Sequence, residues 1–147
     1  MKWIGVVHNA VKEPVDEGWR HVVSEIVLDE ALADGMDGIE SFSHVLILYW
    51  MHLAAEAEPV RMRRRPQGRE DMPEVGIFAQ RARHRPNPVG VTAVELLRRE
   101  KNRLVVRGLD AINGTPVLDV KPYVPQFDAV KSPRVPAWIN RLMEGYF

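Results

Sequence analysis

The chain of 147 residues contains no cysteine, which excludes disulfides, zinc–thiolate sites and thiol nucleophiles. No apolar run approaches membrane-spanning length, and the start, Met1-Lys2-Trp3-Ile4-Gly5, lacks the apolar stretch of a signal peptide. A cytoplasmic protein without a membrane span is expected. Also absent are a Gly-x-Gly-x-x-Gly after a strand, a Walker loop and a Gly-x-Ser-x-Gly elbow, so neither a dinucleotide fingerprint nor a serine hydrolase is indicated. His44 and His52 stand too far apart along one strand to chelate a metal together, and no metal centre is expected. The formal net charge is zero, which argues against a general nucleic-acid binder.

What is present is uneven. The length suits a single domain with a real core, and 46% hydrophobic with 27% charged residues is the balance of a globular protein. Before residue 60 the bases are Lys2, Lys12 and Arg20 against eleven acids, whereas Arg61 to Arg85 holds eight arginines and three acids. A local basic surface attracts phosphate or RNA even on a neutral protein. The alternative is that it pairs with the acidic half of the same chain or of a partner subunit.

Short β-branched runs, separated by proline and glycine, predict an antiparallel β-barrel or compact sandwich with few helices. Trp3 to His8 reads as a first strand and His21 to Leu28 as a second. The long intervening loop has Gly18-Trp19-Arg20 at its tip, an aromatic face beside a cation. Asp29 to Gly35 can form one or two helical turns with a capping acid and a terminal glycine. Val45 to Met51, apolar on both faces, predicts a central buried strand, bracketed by His44 and His52. Ala54 to Glu58 reads as a turn, Pro59 to Arg65 as a basic edge strand, and Pro66 to Pro73 as a mobile polar loop. Val89 to Arg98 and Arg103 to Leu109 predict a hairpin. Asn113-Gly114 suits a tight turn, and Val117 to Tyr123 a last strand with Asp119 and Lys121 on one face. If buried, that pair would supply site groups; if exposed, a solvent ion pair. Pro133 to Phe147 carries Trp138, Ile139, Leu142 and Met143 at helical spacing, an amphipathic C-terminal helix.

The stretch an ordinary core would not need is Gly76-Ile77-Phe78-Ala79-Gln80-Arg81-Ala82-Arg83-His84-Arg85-Pro86-Asn87-Pro88-Val89-Gly90. Two prolines fix their own φ and push Arg85 and Asn87 toward extended backbone. A stiff segment with fixed donors loses little entropy on docking a polar or anionic small molecule. The plain alternative is a solvated basic turn.

Gly76 to Ala79 with Arg81, then Arg85-Pro86-Asn87-Pro88-Val89-Gly90, resembles the signature of the TsaA-like (YaeB/TrmO) family. Phe42-Ser43-His44, Leu109-Asp110, Asn113-Gly114-Thr115-Pro116 and Asp119-Val120-Lys121-Pro122-Tyr123 are similar to other family elements, in the family's order. The resemblance implies a single small β-barrel domain over residues 1–147 that binds S-adenosylmethionine and works as a homodimer, the cofactor near the subunit interface. It implies methylation of the exocyclic nitrogen of threonylcarbamoyladenosine beside the tRNA anticodon. The extra C-terminal domain of longer bacterial members is not expected, which leaves tRNA to the barrel and its basic loop.

Position by position, the resemblance implies cofactor contacts at Trp19, Arg20, His52, Leu53, Arg81, Val91, Leu109 and Asp110. Arg81 suits the methionine carboxylate, and backbone near Leu109 and Asp110 the adenine edge. Arg85, Asn87, Lys121 and Tyr123 fall on the methyl-acceptor side. The acceptor nitrogen is a weak nucleophile while protonated, and Asp119, then His52, is the expected base. The chain departs from the family pattern at Gly18-Trp19-Arg20, where many members have Pro-Arg-Gln, and at Gln80, where many have Thr. Two other readings stay open: a non-catalytic module that binds S-adenosylmethionine or RNA, and methylation of a small molecule.

Overall fold

Alternating side chains send every second residue of most barrel strands inward, and the barrel strands close on themselves. The computed structural model describes residues 2–55 and 59–147. In chain order it contains β1 (Gly5–His8), β2 (Val23–Leu28), β3 (His44–Trp50), α1 (His52–Ala55), β4 (Arg63–Arg64), β5 (Val75–Gly76), β6 (Val89–Glu100), β7 (Arg103–Arg107), β8 (Pro116–Pro122), α2 (Pro125–Asp128) and α3 (Ala137–Leu142). Six strands form a closed antiparallel barrel in the order β1-β2-β7-β6-β3-β8, with β8 returning to β1. The expected mainly β fold with a short C-terminal helix is observed.

Val7, Ile26, Val45, Ile47, Val94, Leu104, Val106, Leu109 and Val117 fill the interior. Burying one such side chain fully stabilises the fold by roughly 1.5–3 kcal/mol. β3 lies between β6 and β8, as a central strand should. Its alternation is clear, however: Val45, Ile47 and Tyr49 are buried, while Leu46, Leu48 and Trp50 face outward and are half-buried. The β6–β7 hairpin turns at Lys101, whose φ of 55° is left-handed, and Asn102 ties it back by donating from Nδ2 to the Leu28 carbonyl at 2.6 Å.

Antiparallel pairing brings three connections, residues 9–22, 51–88 and 108–115, to the same end of the barrel. Asn9 anchors the first of them. Its Nδ2 donates to Ser24 Oγ (2.9 Å) and the Ala111 carbonyl (2.8 Å), and its backbone N–H donates to Asn113 Oδ1 (3.1 Å). Bulges sit beside the site strands, one at Leu118 in β8 between the partners of Leu48 and Tyr49. A bulge re-aims the side chains next to it.

Several expectations need correction. Asp29 caps as expected, accepting from the Ala31 N–H at 3.1 Å, but the helix is 3-10 over Glu30–Met36 and Gly35 lies inside it. The basic segment contributes only Arg63–Arg64 as strand, paired with Val75–Gly76 in a ribbon separate from the barrel. Residues 66–73 are not merely a polar loop: Pro66 is buried and Met72 is 1% exposed. Part of the turn expected at Ala54 to Glu58 lies outside the described residues; Ala54 belongs to α1. The C-terminal helix is six residues long, because Pro136 caps it and the chain leaves it at Met143.

Candidate functional site

Tyr49 ends the inward row of β3 and pairs with Gly90 of β6. Above it, Asp110 leaves the end of β7 and receives three hydroxyls. Tyr49 Oη donates to Oδ1 at 2.9 Å, Thr92 Oγ1 donates to the same oxygen, and Tyr146 Oη donates to Oδ2 at 2.7 Å. Burial first, then the negative charge of Asp110, push both tyrosine hydroxyls above their ordinary range. Both stay protonated donors at neutral pH, so neither serves as a base. Asp110 is thereby held at the barrel mouth by a hydroxyl cradle that the sequence alone does not reveal.

Other expected site residues converge on this mouth. Arg81 Nη2 donates to the Val91 carbonyl on β6, which ties the signature arginine to the barrel wall. His52 opens α1 directly beyond β3, and the preceding Met51 N–H donates to the Pro88 carbonyl at 2.8 Å, which joins it to the Arg-Pro-Asn-Pro element. The Nδ1 atom of His52 is buried with no hydrogen-bond partner among the described residues. Leu53 and Val91 expose apolar surface. Arg20, with His21, Arg107, Gly108 and Phe147, lines a shallow depression that runs along the outer wall, past Glu95 of β6 to His44 at the start of β3. Leu109, by contrast, is fully buried, so only its backbone is available to a ligand.

Trp19 is the clearest correction. It is 2% exposed, and its Nε1 donates to the Val15 carbonyl at 3.1 Å. The ring supports the loop from beneath and presents no open aromatic face. Gln80 was singled out only as a departure from the family pattern. It is buried, and its Nε2 donates to the carbonyls of Arg64 (3.1 Å) and Val75 (3.5 Å), clamping the β4–β5 ribbon. Its backbone carbonyl accepts from Arg85 Nη1 at 3.2 Å, which fixes an arginine of the hook.

The residues expected on the acceptor side do not converge within the chain. Asp119, Leu48 and Val91 form one cross-strand row, with Asp119 two strands from Val91, roughly 10 Å away at ordinary strand spacing. Tyr123 donates its N–H to the His44 carbonyl and packs edge-on to that histidine, with ring centroids 6.5 Å apart. It therefore sits at the far end of β3, roughly 20 Å from Trp50 by strand rise. Lys121 Nζ pairs with Asp119 Oδ2 at 2.6 Å, their side chains 57% and 43% exposed. The pair is of the solvent-facing kind, not a buried one.

The charge asymmetry resolves into two parts. Acids of the first half pair with later arginines: Arg99 with Asp37 (2.8 Å) and Glu40 (3.1 Å), and Arg103 with Glu25 (3.0 Å). Within the basic segment, Arg63 pairs with Glu74 and Arg69 with Asp71. Among the described residues, Arg61, Arg64, Arg65, Arg81, Arg83 and Arg85 form no ion pair with an acid. Phe78, 71% exposed, stands among them. The described residues hold no group of three or more metal-ligating acids or histidines, and no helix among them is long and apolar enough to cross a membrane.

A closed six-stranded barrel with an arginine-bearing, proline-braced mouth defines a narrow class. The family described as tRNA-methyltransferase O N-terminal domain matches residues 8–129, and the chain belongs to that family. A protein of Archaeoglobus fulgidus named S-adenosyl-L-methionine-binding protein is 41% identical over 134 residues, covering 88% of this chain and 93% of that one. A human tRNA (adenine(37)-N6)-methyltransferase is 37% identical over 98 residues, 63% of this chain and 20% of that protein. Among solved structures, TrmO from Pseudomonas aeruginosa aligns with a TM-score of 0.72 and 32% identity over 90% of this chain. This chain spans 58% of that one.

Proposed function

We propose that this chain binds S-adenosylmethionine at the barrel mouth and transfers its methyl group to N6 of threonylcarbamoyladenosine at position 37 of tRNA. The observation that carries the reading is the convergence of Arg20, His52, Arg81, Val91 and Asp110 on one end of a barrel belonging to this family. The residues present fit the cofactor. Arg20 and Arg81 offer cations for a carboxylate, Leu53 and Val91 apolar surface, and His52 Nδ1 a buried polar atom lacking a protein partner.

When bound, S-adenosylmethionine supplies an electrophilic methyl group on a sulfonium. Displacement at that carbon demands alignment of donor and nucleophile and exclusion of water more than charge stabilisation. The proline-braced hook and the hydroxyl-cradled Asp110 provide rigid walls for that alignment. Asp119 is the proposed proton acceptor and His52 the second choice. Arg85, Asn87, Lys121 and Tyr123 are proposed to face the acceptor.

The separation of Arg85 and Asn87 on the hook from Lys121 and Tyr123 along and beyond β8 fits a homodimer, in which a second copy brings its own set against the first mouth. Apolar surface is available for it: Leu46, Leu48 and Trp50 on the outer face, and Phe127 (88% exposed) and Val130 beyond β8. The arginines of the basic segment that pair with no acid among the described residues, with Phe78, are proposed to carry the tRNA backbone, with no membrane or metal involved.

A second reading, a non-catalytic S-adenosylmethionine-binding module, is favoured by the binding-protein name of the Archaeoglobus relative, which this chain nearly spans. Mass spectrometry of tRNA nucleosides from cells with and without the gene separates the two. Loss of methylated threonylcarbamoyladenosine supports the enzyme. An unchanged nucleoside profile, with S-adenosylmethionine still bound by the purified protein, favours the module or a small-molecule acceptor.

A further inference from the structure

Residues 145–147 lie beyond the family-matched span of 8–129, yet they bridge two segments of the proposed cofactor site. The Gly18 N–H donates to the Gly145 carbonyl at 2.8 Å, and the Trp19 N–H donates to the Tyr146 carbonyl at 2.9 Å. These two bonds lay the tail beside the loop that carries Arg20. Tyr146 then turns its hydroxyl to Asp110 Oδ2 at 2.7 Å, on the opposite segment. Phe147 packs edge-on to Tyr146, with centroids 4.9 Å apart, and lines the same depression as Arg20 and Gly108.

The other oxygen of Asp110 is already taken by Tyr49 and Thr92. Those two donors come from the barrel wall and fix the carboxylate to it. Tyr146 supplies the link to the loop. A backbone bond from the Gly108 N–H to the Val22 carbonyl at 2.9 Å also links the two segments, but among the described residues Tyr146 is the side chain shown joining the Gly18–Trp19 backbone to Asp110.

We infer that Tyr146 is a positioning residue for S-adenosylmethionine binding, acting through Asp110 to lock the Gly18–Arg20 loop and the Leu109–Asp110 turn into one preorganised wall. The inference rests on the proposed cofactor site at this mouth. A ligand meeting a wall already ordered loses less entropy on binding. The raised titration of the Tyr146 hydroxyl is consistent with a permanent donor.

The test is Tyr146→Phe in the full chain, which keeps the ring and removes one hydrogen bond to a carboxylate. S-adenosylmethionine affinity by calorimetry is expected to fall about tenfold. In turnover, KM for S-adenosylmethionine is expected to rise about tenfold with kcat unchanged, a split that mere destabilisation of the fold would not produce. Asn140→Ala, on the exposed side of α3, is the control and is expected to bind as the wild type does. Affinity within twofold of wild type in folded Tyr146→Phe overturns the inference, as does an equal loss in Asn140→Ala. Hydrogen exchange in the wild-type protein gives an independent check. Saturating S-adenosylmethionine is expected to slow the Gly18 and Trp19 amides, and unchanged exchange there overturns the inference even if the variant fails to fold. A wild-type chain that does not bind S-adenosylmethionine defeats the underlying site, a result distinct from wild-type binding with an unaffected variant.

Discussion

The ring of Tyr49 occupies the space that a side chain at Gly90 would need. A Cβ at residue 90 would stand 2.2 Å from Tyr49 Cζ and 2.7 Å from its hydroxyl oxygen. Tyr49 cannot retreat without giving up its 2.9 Å bond to Asp110. Gly90→Ala is therefore expected to destabilise the protein by ~1–3 kcal/mol, the usual cost of overpacking, read as a lower denaturation midpoint. A midpoint equal to wild type would show that the ring has room to move.

Acid should unfold the protein partly through Glu40 and Asp71. A hydrogen bond from its own backbone, then one from Arg99, lowers the Glu40 carboxyl below its usual range, and Arg69 does the same for Asp71. A lowered folded value means that the unfolded chain takes up the proton first. The stabilisation is complete above the ordinary carboxylate range and is lost as the pH falls through the lowered values. Arg99→Met removes one cause at Glu40. Its stability is expected to fall less steeply than wild type as the pH drops below ~4, measured by denaturation across pH 2.5 to 6. An unchanged acid limb would contradict this.

Asp119→Asn separates a base from a surface ion pair. If Asp119 accepts the proton, methyl transfer is expected to drop ~100-fold or more with S-adenosylmethionine affinity unchanged. If the Asp119–Lys121 contact at 2.6 Å is only a solvent-facing pair, turnover stays within twofold, and His52 becomes the next residue to test.

Arg83 is exposed on the hook and pairs with no acid among the described residues. Arg83→Ala is expected to weaken tRNA binding and lower the slope of log affinity against log salt by ~0.7–0.9, the share of one phosphate contact. A slope identical to wild type would place the RNA elsewhere.

How much of this was legible in the sequence depends on the range of each interaction. The β6–β7 hairpin, the Asp29 cap and the Asn113-Gly114 turn are local: period-two alternation, an Asp before a helical turn and a glycine at φ 84° each carry their own cause. Trp19 was misread because nothing near it in sequence reveals that Tyr146, 127 positions on, closes over the same loop. Met72 was lost in a polar stretch for the same reason: it is buried in the connection between two ribbon strands of two residues each, too short to leave a pattern. The site divides likewise. Arg85 and Asn87 stand out through proline spacing, and Arg81 through the arginines set one residue apart. The cradle of Tyr49, Thr92 and Tyr146 around Asp110 joins residues 18 to 61 positions apart, and only the closed barrel brings them together.

Where S-adenosylmethionine binds is the most direct test of the proposed function. A crystal structure grown with it is expected to show the nucleoside at the barrel mouth, its carboxylate within reach of Arg81 or Arg20 and its base beside the Leu109–Asp110 turn. A cofactor lodged at the far end of the barrel near Tyr123, or absent at saturating concentration with the mouth open to the crystal solvent, would contradict it.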